Sequence, residues 1–135
     1  MNRLYILLTV MVLMVGPFAA QEAVAKILTG TGGDDRLVGT DSDDRLKGRG
    51  GDDRLDGGDG DDKIKGGDGN DEIIPGEGND EVYAGDGNDL IYARDNGGTD
   101  YIDCGAGFDR VETIHRDDRT KRNCERAPGP RRSGG

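Results

Sequence analysis

The sequence predicts an all-β solenoid of short, stacked strands, on three observations. Aspartates recur every nine residues at Asp35, Asp44, Asp53, Asp62, Asp71, Asp80 and Asp89, and again at Asp100 and Asp109 after one eleven-residue step. Two residues beyond each stands an aliphatic side chain: Leu37, Leu46, Leu55, Ile64, Ile73, Val82, Ile91, Ile102 and Val111. The chain between these pairs is rich in glycine, with 25 glycines among 135 residues. A fixed short period marks a repeat architecture, in which each unit buries its apolar face by stacking on its neighbours. The x-aliphatic-x piece is a minimal strand with its middle side chain turned inward.

Composition rules out an ordinary packed core. Hydrophobic residues make up 32 % and aromatics 4 %, and 28 acidic against 18 basic residues leave a net charge of -10. Such a chain normally stays disordered. A flexible Gly/Asp-rich linker explains the composition but not the register of aspartate and aliphatic. The acidity disfavours nucleic acid and anionic lipid, which need a basic face, and favours cations.

The N-terminus is a separate element. Arg3 precedes an apolar run from Leu4 to Phe18, followed by Ala23-Val24-Ala25. This pattern predicts a secretory signal peptide over residues 1–25, cut after Ala25, with Ala20 as the second choice. The run is short for a membrane-spanning helix, the alternative being an uncleaved anchor. The chain is therefore expected to be secreted and extracellular, or associated with the cell surface. Cys104 and Cys124 both follow the leader, and an even count in an exported chain favours a disulfide over free thiols or metal ligands.

Residues 26–112 form the repeat region, nine units long. The cleanest units are Gly57-Gly58-Asp59-Gly60-Asp61-Asp62-Lys63-Ile64-Lys65 and Gly66-Gly67-Asp68-Gly69-Asn70-Asp71-Glu72-Ile73-Ile74. Each has a six-residue glycine-rich loop ending in Asp, then a three-residue strand segment. This resembles the RTX, or haemolysin-type, calcium-binding nonapeptide G-G-x-G-x-D-x-U-x, over about residues 30–112. The resemblance implies a right-handed parallel β-roll with two units per coil and calcium ions in the turns. Units n and n+2 then stack. Leu37, Leu55, Ile73, Ile91 and Val111 fall in one inner row, and Leu46, Ile64, Val82 and Ile102 in the facing row. Seven such pairs allow at most about seven interior calcium sites. The implied side-chain ligands are Asp35, Asp44, Asp53, Asp62, Asp71, Asp80, Asp89, Asp100 and Asp109. The pattern is most complete around Asp53, Asp62, Asp71, Asp80 and Asp89. It weakens where Thr31, Thr40, Ser42 and Arg49 replace glycines, where Pro75 and Ala84 open units, and in the long eighth unit with Arg94.

Calcium suits this chemistry. It is a hard cation that takes six to eight oxygens. A turn offering backbone carbonyls and one carboxylate supplies part of that set, and the next stacked turn supplies the rest. One aliphatic per nine residues does little against the conformational entropy of a glycine-rich unit. Residues 30–112 also hold 24 acids against nine bases, a net of -15 that opposes compaction. Ions bound only by the folded chain would supply the missing stabilisation, so the metal-free chain is expected to be disordered. An EF-hand fails on the period and on the absent twelfth-position Glu.

The C-terminal part reads as a cap. Asp118 and Thr120 continue the register, so Thr113 to Lys121 forms a degenerate tenth unit. A Cys104–Cys124 bond would fold residues 113–126 over the last coil, as solenoids need their open ends covered. Residues 127–135 are expected to be disordered. Arg116, Arg119, Lys121, Arg122, Arg126, Arg131 and Arg132 make this end basic. It either pairs with the acidic roll or contacts an anionic cell-surface polymer.

No catalytic arrangement stands out. His115 is the sole histidine, and Ser42 and Ser133 lack a triad setting. Tyr83, Tyr92 and Tyr101 flank aliphatic positions, covering the strands or forming a sugar-binding strip. Three functions are consistent with the sequence: an exported calcium-binding protein that is not an enzyme, a calcium-dependent adhesion or matrix protein with a cell-envelope partner, or a small hydrolase.

Overall fold

The computed structural model describes residues 24–93, 98–112, 118–121 and 123–126. Most of the expected signal peptide, Arg94, His115, Arg116, Arg122 and the expected tail 127–135 lie outside the described residues.

Twelve short strands are present among the described residues: β1 (Ile27–Thr29), β2 (Arg36–Thr40), β3 (Arg45–Gly50), β4 (Arg54–Asp59), β5 (Lys63–Asp68), β6 (Glu72–Glu77), β7 (Glu81–Asp86), β8 (Leu90–Tyr92), β9 (Tyr101–Ala106), β10 (Arg110–Glu112), β11 (Arg119–Thr120) and β12 (Glu125–Arg126). They form two parallel sheets, ordered β1-β3-β5-β7-β9-β11 and β12-β10-β8-β6-β4-β2. The chain therefore crosses from one sheet to the other at every unit, and each strand pairs with the strand two units away. Leu37 lies against Leu55, Leu55 against Ile73, Ile73 against Ile91 and Ile91 against Val111. Leu46 lies against Ile64, Ile64 against Val82, and Val82 against Ile102. The two expected inner rows are thus present, and a parallel β-solenoid is the architecture.

The strands are longer than the sequence reading allowed. Six of the twelve run six residues instead of three, because the first three residues of the following unit continue the ladder. Burial alternates along them, and the first residue of each unit turns inward beside the aliphatic. Gly48, Gly57, Gly66, Pro75, Ala84, Ala93 and Cys104 fill these second inner positions, all buried. Pro75 and Ala84, which look like defects in a glycine loop, are core residues. With Leu46, Leu55, Ile64, Ile73, Val82, Ile91, Ile102 and Val111, each no more than 1 % exposed, they close a narrow core between the sheets.

The start departs from the expected layout, and the C-terminal end keeps to it. At the start, β1 places Leu28 against Leu46, one step ahead of the first predicted unit. Lys26 occupies the aspartate position of that extra unit, and its backbone N–H donates to Asp44 Oδ1. At the other end, the register of Asp118 and Thr120 holds, with Thr120 against Ile102. Among the described residues the segment covers the last coil by extending both sheets, β11 pairing with β9 and β12 with β10. The disulfide joins Cys104 to Cys124 with a Cα–Cα distance of 5.4 Å, and Cys124 packs against the end of the core.

Candidate metal centres

The period stacks the aspartates in two columns, one on each edge of the roll. Asp35, Asp53, Asp71, Asp89 and Asp109 form one, and Asp44, Asp62, Asp80, Asp100 and Asp118 the other. Apart from Asp35, which is half-buried, all are buried, from Asp100 at 0 % to Asp118 at 8 % exposure. Each column is held by its own backbone. The N–H of Asp53 donates to Asp71 Oδ1 at 2.9 Å, that of Asp62 to Asp80 Oδ1 at 2.8 Å, and that of Asp71 to Asp89 Oδ1 at 2.8 Å. The carbonyl of Asp53 in turn accepts from the Glu72 N–H at 2.8 Å. One carboxylate oxygen of each residue is thereby fixed.

The other oxygen is left over. Oδ2 of Asp53, Asp62, Asp71, Asp80, Asp89 and Asp109 is buried and accepts no hydrogen bond. A buried acceptor without a partner is costly, more so when charged. Those of Asp53, Asp62 and Asp71 lie beside backbone carbonyls. Asp53 Oδ2 and Gly66 O lie 2.1 and 2.6 Å from the point where a Cβ on Gly48 would stand. Asp71 Oδ2 and Ala84 O lie 2.1 and 2.4 Å from the same point on Gly66. A carboxylate oxygen of one unit and a carbonyl oxygen of the unit stacked on it thus converge beside Gly48 and Gly66, while Pro75, Ala84 and Cys104 hold the same position before Asp80, Asp89 and Asp109. In the turn itself, Gly76 and Gly78 adopt φ of 111° and 128°. A Cβ there would strike Gly58 O at 1.8 Å and Gly60 O at 2.3 Å. Further carbonyls therefore line the stacked loops. Among the described residues no three carboxylate, imidazole or thiol groups converge. The donor set is mostly backbone oxygen, with single carboxylates.

The first units differ. Thr31 donates to Asp35 Oδ2 from its N–H at 2.5 Å and from Oγ1 at 2.9 Å. Thr40 does the same for Asp44 Oδ2, its Oγ1 at 3.0 Å. Where the sequence reading saw only poorer turns, the threonines satisfy the oxygen that is bare further along. Arg49, in the third unit, takes φ 95°, and no other non-glycine residue with positive φ is described. A non-glycine residue there costs roughly 1–2 kcal/mol. Arg49→Gly is therefore expected to stabilise the folded chain by about 1 kcal/mol in denaturant titration, and a loss of stability would contradict this reading of the turn.

A second row escaped the sequence reading. The residue before each column aspartate accepts from the unit above: Asp61 N–H donates to Asp43 Oδ1 at 2.9 Å, Asn79 N–H to Asp61 Oδ1 at 2.8 Å, and Thr99 N–H to Asn79 Oδ1 at 3.0 Å. Asp34, Asp52, Asn70 and Asn88 repeat this on the other edge. The nine-residue spacing of Asp and Asn was visible, but the positions read as loop filler.

A family model for the RTX calcium-binding nonapeptide repeat matches the chain in four copies, over residues 29–64, 50–82, 65–95 and 76–111. The chain belongs to the RTX calcium-binding repeat family. No curated protein and no solved structure matches it significantly. The geometry fits the ion for which the RTX repeat is named: buried carboxylate oxygens that accept no hydrogen bond, with carbonyls beside those of Asp53, Asp62 and Asp71.

Electrostatics in the RTX columns point the same way. Burial, then the neighbouring carboxylates, raise Asp62, Asp71 and Asp89 to about 6 and Asp80 to about 7, while the donated N–H groups pull partly back. These values exceed the 3.8 of an ordinary Asp. The metal-free coil therefore holds more protons than the unfolded chain between about pH 4 and pH 7, and it loses stability as pH rises through that window. Protons and a cation compete for the same oxygens.

Proposed function

We propose that this RTX chain is an exported calcium-binding protein whose coils form as the ion is bound. The observation that carries the reading is the row of buried Oδ2 atoms without donors at Asp53, Asp62, Asp71, Asp80, Asp89 and Asp109. Bound calcium supplies charge neutralisation and a bridge between stacked turns. The chain's part is to present oxygens at fixed spacing. From Asp53 to Asp109 the aspartates without an Oδ2 donor each give Oδ1 to an N–H below and keep Oδ2 for the cavity. The apolar leader before Ala23-Val24-Ala25 supports export. Outside the cytosol calcium is abundant, so folding would follow translocation.

Equilibrium dialysis of the leader-free chain against calcium tests the proposal. Several ions per chain, up to about seven, are expected from the n and n+2 pairing of nine units. Magnesium should compete poorly, because it demands a tight octahedron and sheds water reluctantly. Fewer than one calcium per chain at millimolar concentration, or equal displacement by magnesium, would refute it.

A further inference from the structure

One outer face of the roll carries charge opposite to that of the whole chain. The outward residues of β3 and β5 are Arg45, Lys47, Lys63 and Lys65. The register sets Arg45 against Lys63 and Lys47 against Lys65. Paired strands lie about 4.8 Å apart and alternate residues about 6.7 Å apart, so the four cations form a close grid. Like charges directly opposite one another weaken a sheet. Glu81 pairs with Lys63 alone. The Lys65 ammonium lies 5.7 Å from the Tyr83 ring centroid. Arg45 and Lys47 have no ion pair among the described residues. A depression of about 380 Å³ opens over the same strands, bordered by the four cations with Ile27 and Thr29. Tyr83 and Tyr101, 5.9 Å apart, continue the face beyond the grid. The opposite sheet has no such grid: Arg54 there pairs with Glu72, and Leu90 follows in the same row.

We propose that this face binds a linear acidic polysaccharide, laid across β1, β3 and β5 along the roll. The charge complementarity is that of a polymer, since the cations repeat strand by strand and lie on a rigid, shallow surface instead of converging on one point. The two tyrosine rings, inclined at 55° to one another, extend the strip with aromatic edges and hydroxyls beside the cations. The inference rests on the calcium reading in two ways. The grid exists only when the strands are stacked. The repeat region also carries a net of -15, which repels any polyanion until bound ions bring it close to neutral.

The test uses heparin as the probe, with the leader-free chain in calcium and in chelator. Heparin binding is expected in calcium and absent in chelator. The triple variant Arg45→Gln/Lys47→Gln/Lys65→Gln should weaken it by at least about tenfold, with the calcium-induced circular dichroism transition unchanged. The charge-matched variant Arg36→Gln/Arg54→Gln/Arg110→Gln on the other sheet should stay within about twofold. Binding unaffected by the first variant, or reduced equally by both, overturns the proposal. So does binding of phosphatidylglycerol vesicles or duplex DNA as tight as that of heparin, which would make the face a general anion binder. A normal calcium transition without heparin binding removes this inference alone. No calcium transition in the unaltered chain removes the calcium reading itself.

Discussion

Chelating calcium from a chain of residues 26–135 is expected to abolish its β-sheet circular dichroism and to expand it to disordered dimensions, both restored by millimolar calcium. The apolar core explains why. It is a strip one aliphatic wide per unit, supplemented by glycine, alanine or proline at the second inner position. Against it stand the entropy of a glycine-rich backbone and two columns of buried carboxylates. Removing the ion leaves Oδ2 of Asp53, Asp62, Asp71, Asp80, Asp89 and Asp109 bare, the first three within a few ångströms of carbonyl oxygens. The disulfide would survive chelation, but a single cross-link near one end cannot hold the remaining coils. Scattering and circular dichroism that are unchanged in excess chelator would sink the idea.

The second large effect is positional. Asp71→Asn should raise the calcium midpoint at least about tenfold, or ~1.4 kcal/mol, whereas Asp35→Asn should barely move it. Asparagine keeps the acceptor that Asp71 Oδ1 offers to the Asp53 N–H, so the backbone ladder survives. What it removes is the negative charge on a buried oxygen in mid-column. Asp35 is half-buried at the start of its column, and Thr31 already donates twice to its Oδ2. Calcium titrations of the two variants compare them directly. Equal shifts would mean that the bare oxygens are not the ligands.

Much of this was legible in the linear sequence because the period encodes a register. Once Asp53, Asp62 and Asp71 were aligned, the rows of Leu55 with Ile73 and of Ile64 with Val82 followed from two units per coil. Strand length was not legible. Gly57-Gly58-Asp59 has the composition of a loop, and it becomes strand only because Thr40 and Gly76 flank Gly58 in the stacked coils. The opening unit was hidden because Lys26 stands where the aspartate signal should be, leaving Leu28 without its marker. Thr31 and Thr40 were read as flawed turns because their hydroxyls have no assigned partner until Asp35 and Asp44 are placed beside them. In each case the missing knowledge was a contact 4 or 18 residues away, which spacing predicts only when the marker residue is intact.

The covalent link between Cys104 and Cys124 gives the winding a starting point. A solenoid is costly to begin and cheap to extend, since the first coil has nothing to stack upon. The bond holds β9 beside the segment that carries β11 and β12 before any other neighbour has formed, on the C-terminal side of the repeats. Assembly begun there would run backwards along the coils, toward Leu28. Hydrogen exchange slowest near Ile102 and fastest near Leu28 would mark that direction, and the reverse gradient would exclude it.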